Sequence, residues 1–239
     1  MDELFYILPE QISGKRITVY GDDFHHIVRV KRFSENDEVW FTDGMGRIYR
    51  TRINLIRKHD FETDIVEVTD QQFPLKIKIN VLAGILKNKD RLEWIVEKCG
   101  ELSVTSFIPV NTEHTVKNNL NVERLQKISI SAMKQSKNSH LMNVNPVMNL
   151  PQSLKRNPAL LNLVLHEKRM DESQNLIGLE FENYSEINLY IGPEGGFSEK
   201  EIKQFSDFGY SFVWMGEQRL RTETAAVVSA GILNQLLLK

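Results

Sequence analysis

Three short segments of this 239-residue chain concentrate residue types that handle charge and grip small molecules. They are Leu165-His166-Glu167, the run Gly192-Pro193-Glu194-Gly195-Gly196-Phe197-Ser198, and Met215 to Thr224, which carries Gly216, Arg219, Leu220, Arg221 and Glu223. In the second segment, glycines let the backbone approach a ligand closely while Pro193 stiffens the turn. A phosphate cradle is the first chemistry to consider. Glu194 speaks against it, because it stands where G-x-G-x-x-G needs its second glycine, and a carboxylate repels phosphate. A cationic ligand, or one held by backbone hydrogen bonds, suits the segment better; taken alone it is also an ordinary strand-to-helix turn. Arg219 and Arg221 precede a helix whose first turn holds Glu223. The arginines suit an anion or a nucleic-acid phosphate, whereas a first-turn glutamate commonly serves the helix's own free N–H groups. His166-Glu167 continues into Lys168-Arg169-Met170, which is not the H-E-x-x-H pattern, so no metal is expected. The pair His25-His26 reads as a structural loop.

The elements that must position these residues can be read from periodicity. Short, mostly apolar runs at Ile77 to Ala83, Val104 to Val110, Leu161 to His166, Ile187 to Ile191 and Ser211 to Met215 read as buried parallel strands. Between them lie amphipathic helices. Asp90 with Glu93 can form a capping box ahead of Leu92, Ile95, Val96 and Cys99, and Ser198 with Glu201 repeats the signature with Gly209 as the stop. A last helix is expected from Thr222 through Leu236. Strands alternating with helices predict an α/β domain with a parallel sheet covered on both faces. Ligands bind such sheets outside the carboxyl ends of the strands, where all three segments would fall on one edge. The first seventy or so residues instead read as β-rich, with Ile17 to Tyr20, Glu38 to Thr42 and Arg47 to Ile56 as strands and Asp43-Gly44 as a hairpin signal. Pro74 marks a boundary between the two parts.

Composition excludes several classes. Hydrophobic residues make up 41% and charged residues 26% of the chain, values of an ordinary globular protein. One cysteine, Cys99, permits no internal disulfide, and no apolar run reaches the roughly 18 residues a bilayer requires, so a cytoplasmic protein is expected. The net charge of -2 rules out nucleic-acid binding through bulk charge. Local basic patches remain: Arg29, Lys31 and Arg32, and a stripe of Lys117, Arg124, Lys127, Lys134 and Lys137 with Glu123 as its one carboxylate.

At the three segments the chain resembles a known family. IGPEGGFSEKEI (Ile191 to Ile202) together with LRTETAA (Leu220 to Ala226) is similar to the paired signatures of the ribosomal RNA small subunit methyltransferase E family, of the SPOUT class. Further matches follow in the family's order: His25-His26 with Arg29 and Arg32, Asp43 to Gly46 and Tyr49, Lys89 to Ile95, Gln135-Ser136, and Leu165 to Glu167. Two stretches depart from the pattern, Glu217 to Arg219, which lacks a proline, and Lys137-Asn138.

The resemblance implies a PUA-like β-barrel for RNA over residues 1–72 and, over 73–239, a SPOUT domain whose chain end forms a trefoil knot. It implies a homodimer that uses S-adenosylmethionine, without a metal, to methylate N3 of one uridine in 16S rRNA of the small ribosomal subunit. Carried over residue by residue, Leu165, His166, Ile191, Gly192, Pro193, Glu194, Gly195, Gly196, Met215, Gly216 and Leu220 would hold the cofactor. Uridine N3–H must lose its proton to be methylated. Arg221 would stabilise the resulting charge or grip a phosphate, and Glu223 or Glu194 would take the proton. Arg29, Lys31, Arg32, Lys134 and Lys137 would meet RNA. Two other classes stay open on the residues alone: a non-catalytic RNA-binding protein with a dimerising α/β domain, and a nucleotide-phosphate enzyme built on Gly192 to Gly196.

Overall fold

The computed structural model describes residues 3–71, 76–116, 120–154 and 160–238. Pro74 and Lys117, singled out above, lie outside the described residues. The chain divides into two compact units, one of Met1–Phe73 with Met133–Leu141, the other of Pro74–Ala132 with Met142–Lys239.

The first unit holds a six-stranded sheet. Its strands are β1 (Leu4–Tyr6), β2 (Ile12–Ser13), β3 (Arg16–Tyr20), β4 (Glu38–Thr42), β5 (Arg47–Ile56) and β6 (Asp60–Asp70), arranged β1-β4-β5-β6-β3-β2. Alternation along the strands turns Phe5, Ile17, Val19, Phe41, Ile53 and Phe61 into one core, closed by Phe24 and Ile27. The β4–β5 connection is the hairpin expected at Asp43-Gly44. Buried Asp43 organises it, accepting from the Met45 N–H (2.8 Å) and the Tyr49 hydroxyl (3.0 Å). His25 and His26 are not in a loop. They open a π-helical turn, His25–Val30, that continues α1 (Gly21–Phe24) and buries Ile27.

The second unit carries a seven-stranded sheet whose pairings are all parallel. Its strands are β7 (Lys78–Gly84), β8 (Ser106–Asn111), β9 (Asn143–Val144), β10 (Met148–Asn149), β11 (Leu160–Leu165), β12 (Glu186–Ile191) and β13 (Ser211–Val213). The path is β10-β8-β7-β12-β11-β13, with β9 also on β8. Helices α2 (Lys89–Glu101), α3 (Val122–Gln135), α4 (Leu150–Ser153), α5 (Glu199–Asp207) and α6 (Thr222–Leu237), with 3-10 turns at Pro9–Gln11 and Leu176–Gly178, complete the described elements. On one face Leu82, Val164, Tyr190 and Phe212 pack with Phe205 of α5. On the other α6 packs on β7, β12 and α2. Cys99 faces the core of α2, fully buried, and burial pushes its thiol up to about 12.

Two local expectations are corrected. Asp90 does not cap α2. Asn88 does, its side-chain oxygen accepting the Asp90 N–H at 2.8 Å, and Glu93 is thereby left to accept from Nε and Nη2 of Arg124 on α3 with its two oxygens. Strand β11 lies one residue earlier than read, ending at Leu165, and β13 is shorter than read, ending at Val213; beyond it Trp214 N–H turns to the Gln174 carbonyl (3.1 Å), freeing Met215 and Gly216 for the sheet edge. The strands are mostly apolar, as read, and carry one polar row. Asn162, Asn188 and Asn80 stand in register across β11, β12 and β7, and their amides satisfy one another, Asn188 donating to Asn162 (2.8 Å) and Asn80 to Asn188 (3.0 Å).

The Ser198 cap forms as expected. Ser198 Oγ accepts the Glu201 N–H (3.2 Å) and Glu201 Oε2 accepts the Ser198 N–H (2.9 Å). The other Glu201 oxygen accepts the Glu113 N–H at 2.8 Å, so this buried carboxylate ties the loop after β8 to the start of α5. Glu201→Ala strands these N–H groups and should cost about 2 kcal/mol of stability in urea unfolding, given ~1–3 kcal/mol for an unmet buried polar group.

Candidate functional site

Strands β11, β12 and β13 run parallel, so the segments that follow them leave at one edge. There they enclose a cavity of about 340 Å³. Of the residues proposed above for cofactor and chemistry, Leu165, His166, Ile191, Gly192, Pro193, Glu194, Gly195, Gly196, Met215, Gly216, Leu220, Arg221 and Glu223 all line it.

Backbone closure shapes the central wall. Gly196 sits at φ +69°, and a Cβ on Gly192 would meet the Gly196 backbone at 3.0 Å, so the turn doubles back as only glycine allows. Beneath it, β7 ends at Gly84, where a Cβ would stand 2.5 Å from Pro193 N and Cδ. The Gly192 carbonyl accepts the buried Thr222 hydroxyl at 2.9 Å, fastening the first turn of α6 to the end of β12. His114 Nδ1 lies 3.1 Å from the Gly196 carbonyl oxygen on the outer side of the turn.

Charged side chains divide by task. Glu194 is exposed and its carboxylate accepts the Lys87 N–H at 3.1 Å. Arg219 pairs with Glu167 at 2.7 Å and approaches the Glu194 carbonyl at 3.4 Å, so one guanidinium touches all three loops. His166 Nδ1 is engaged with the backbone of Lys168, and its ring stands edge-on to Phe212. Arg221 occupies the N-cap position of α6, exposed, and its side chain has no partner among the described residues. Glu223 is a half-buried carboxylate of the cavity. One oxygen lies 3.6 Å from Arg91 Nε, and the other is buried without a hydrogen-bond partner. Arg91, on α2, was not singled out from the sequence; its only signal there is membership of the Lys89 to Ile95 match.

The residues expected to meet RNA all belong to the first unit, although the sequence places them in two distant patches. Arg29 is exposed and stacks over Phe24 at 5.8 Å, Lys31 pairs with Glu3 at 3.0 Å, and Lys134 stands 3.8 Å from Asp23. Arg32 and Lys137 each follow a helix in the left-handed region, at φ +63° and +54°, and thus also serve as helix stops. Arg124 leaves the stripe, since Glu93 neutralises it.

Comparison with known proteins finds two family patterns in the chain. The pattern of an RNA methyltransferase domain matches residues 73–234, and that of an RNA methyltransferase PUA domain matches 19–66. The chain is 27% identical to the ribosomal RNA small subunit methyltransferase E of Bacillus subtilis, over 91% of this chain and 89% of that one. A methyltransferase of the same name from Neisseria gonorrhoeae, solved bound to S-adenosyl methionine, is similar with a TM-score of 0.86 and 27% identity, covering 98% of this chain and 97% of that one. A probable rRNA-methyltransferase from Porphyromonas gingivalis reaches a TM-score of 0.88 at 28% identity, covering 98% of each.

Gly84→Ala tests the wall directly. The added carbon must displace Pro193, and overpacking of this kind costs about 1–3 kcal/mol. Thermal unfolding should report a lower midpoint, and an unchanged midpoint would mean that the turn rests on β7 more loosely than the 2.5 Å approach implies.

Proposed function

The chain belongs to the RNA methyltransferase family, and from that premise we propose that it moves the methyl group of S-adenosylmethionine to N3 of one uridine in small-subunit ribosomal RNA. The observation that carries this reading is the strand-end cavity, in which glycine-lined backbone meets a buried carboxylate oxygen that lacks a donor. The methyl donor found on the Neisseria relative supports the choice of cofactor. Family membership favours a catalyst over a non-catalytic RNA-binding protein. A nucleotide-phosphate enzyme fits less well, with Glu194 in the turn and no lysine motif.

When bound, S-adenosylmethionine supplies a methyl group already activated by its positive sulfur, so the protein's work is alignment, exclusion of water and proton removal. Leu165, Ile191, Met215 and Leu220 offer an apolar seat, and the backbone of Gly192 to Gly196 offers hydrogen bonds. Glu223 takes the N3 proton at its unpartnered oxygen. Glu194, once an equal candidate, is the weaker one, since its carboxylate is exposed and already engaged by Lys87. Arg221, exposed at the rim, grips the phosphate of the target nucleotide or offsets charge on the ring. Arg29, Lys31, Arg32, Lys134 and Lys137 of the first unit hold the surrounding RNA.

The same reading takes in the finer features of the family resemblance. The first unit is read as a PUA-like barrel. A knotted chain end is supported by strand order: β12 lies between β7 and the earlier β11, and β13 then adds outside β11. A homodimer acting in the cytoplasm, where small subunits are built, completes the proposal. Among the described residues no helix is long and apolar enough to cross a membrane.

The test is transfer of labelled methyl from S-adenosylmethionine to small ribosomal subunits lacking the modification, with the product nucleoside identified. The expected product is 3-methyluridine at one site; a different methylated nucleoside would overturn the uridine-N3 assignment. In the same assay Arg221→Ala should lower turnover at least tenfold while calorimetric affinity for S-adenosylhomocysteine is retained. RNA affinity should fall steeply with salt, and Arg29→Ala should reduce the log–log slope by about one. An unchanged slope would remove Arg29 from the RNA surface.

A further inference from the structure

Glu223 and Arg91 come from separate helices, α6 and α2, and meet at the wall of the strand-end cavity. The Glu223 side chain is only 13% exposed, and Oε1 lies 3.6 Å from Arg91 Nε, while Oε2 is buried with no donor. A buried acceptor without a donor is costly and rare, and is explained where a ligand brings the donor. Arg91 supplies the opposite half. A guanidinium has five N–H donors in a rigid fork, and this ion pair is its one partner among the described residues. The cavity wall therefore presents an acceptor beside a donor, both held in place from opposite sides of the α2–α6 packing.

We propose that Arg91 and Glu223 together read the imide edge of the target uracil, Glu223 Oε2 accepting N3–H and Arg91 donating to a flanking ring carbonyl. This rests on the uridine reading above and names what selects the base. Uracil offers a donor at N3 between two carbonyl acceptors and so matches the pair. Cytosine carries a lone pair at N3 and would set it against the carboxylate, leaving Oε2 unmet. Sites built to hydrogen-bond a group reject analogues lacking it far better than apolar pockets reject size differences. The same contact serves proton removal: the N3 proton passes to Glu223 Oε2, and the negative charge left on the ring spreads to the carbonyl that Arg91 faces. Arg91 is thus a specificity-determining residue, and its partner is a base rather than a helix cap.

The experiment is competition binding of the full chain, saturated with S-adenosylhomocysteine, to two RNA decamers that differ only in one central uridine or cytidine among adenosines. The wild type should prefer the uridine RNA by about tenfold, the scale of one good bidentate base contact. Arg91→Ala and Glu223→Gln should each erase the preference while S-adenosylhomocysteine affinity is unchanged, and Arg91→Lys should restore part of it. A preference that survives in either the alanine or the glutamine variant overturns the proposal. So does a loss of S-adenosylhomocysteine affinity with the preference intact, which would turn the pair toward the methyl donor instead. A wild type without preference also overturns it, even if small subunits still yield 3-methyluridine. Failure of the underlying reading shows separately, as no 3-methyluridine from wild-type protein.

Discussion

The cavity depends on one closure: the carbonyl of Gly192, at the end of β12, takes its hydrogen bond from the Thr222 hydroxyl at 2.9 Å. A buried carbonyl at the end of a central strand has lost its neighbours in the sheet and needs a donor from elsewhere. Thr222 supplies it from the first turn of α6. That bond fixes where α6 begins, and with it the positions of Arg221 at the N-cap and Glu223 one residue further on. The floor below is equally constrained, because Gly84 admits Pro193 only by lacking a side chain. Backbone demand thus settles the site's geometry before any charged group is considered.

On that frame the charges acquire distinct roles. Arg219 bridges the three loops from outside, through Glu167 and the Glu194 carbonyl. An exposed pair of this kind contributes little stability, so its value lies in linking segments that share no strand pairing. Glu194 is drawn outward by the Lys87 N–H, and Glu223 inward by Arg91. Two carboxylates that look equivalent as residue types therefore differ in availability: one is solvated and engaged, the other desolvated and waiting for a donor.

Much of this was legible in the chain. Parallel strands with helices between them, the Ser198–Glu201 box and the start of α6 at Thr222 all follow from local pattern, and the convergence of three loops follows from the topology those elements dictate. Most of what escaped was non-local. The cap of α2 moved from Asp90 to Asn88 because Asn88 reaches the second N–H of the helix and Glu93 is then claimed by Arg124, thirty-one residues away. The asparagine row across β7, β12 and β11 reads as three unrelated polar residues until register aligns them. Arg91 carries no motif that points to Glu223, since only the packing of α2 on α6 joins them. Likewise Lys134 and Arg29 look like members of separate patches, and only the return of Met133–Leu141 to the first unit unites them.

The central claim is that the segments after β11, β12 and β13 hold the methyl donor. Amide hydrogen exchange with and without S-adenosylhomocysteine tests it most directly, because protection on binding reports which backbone segments a ligand orders. Slowed exchange confined to residues 165–168, 191–197 and 215–225 is the predicted result. Binding that protects a different surface, or leaves these three segments unchanged, would contradict it.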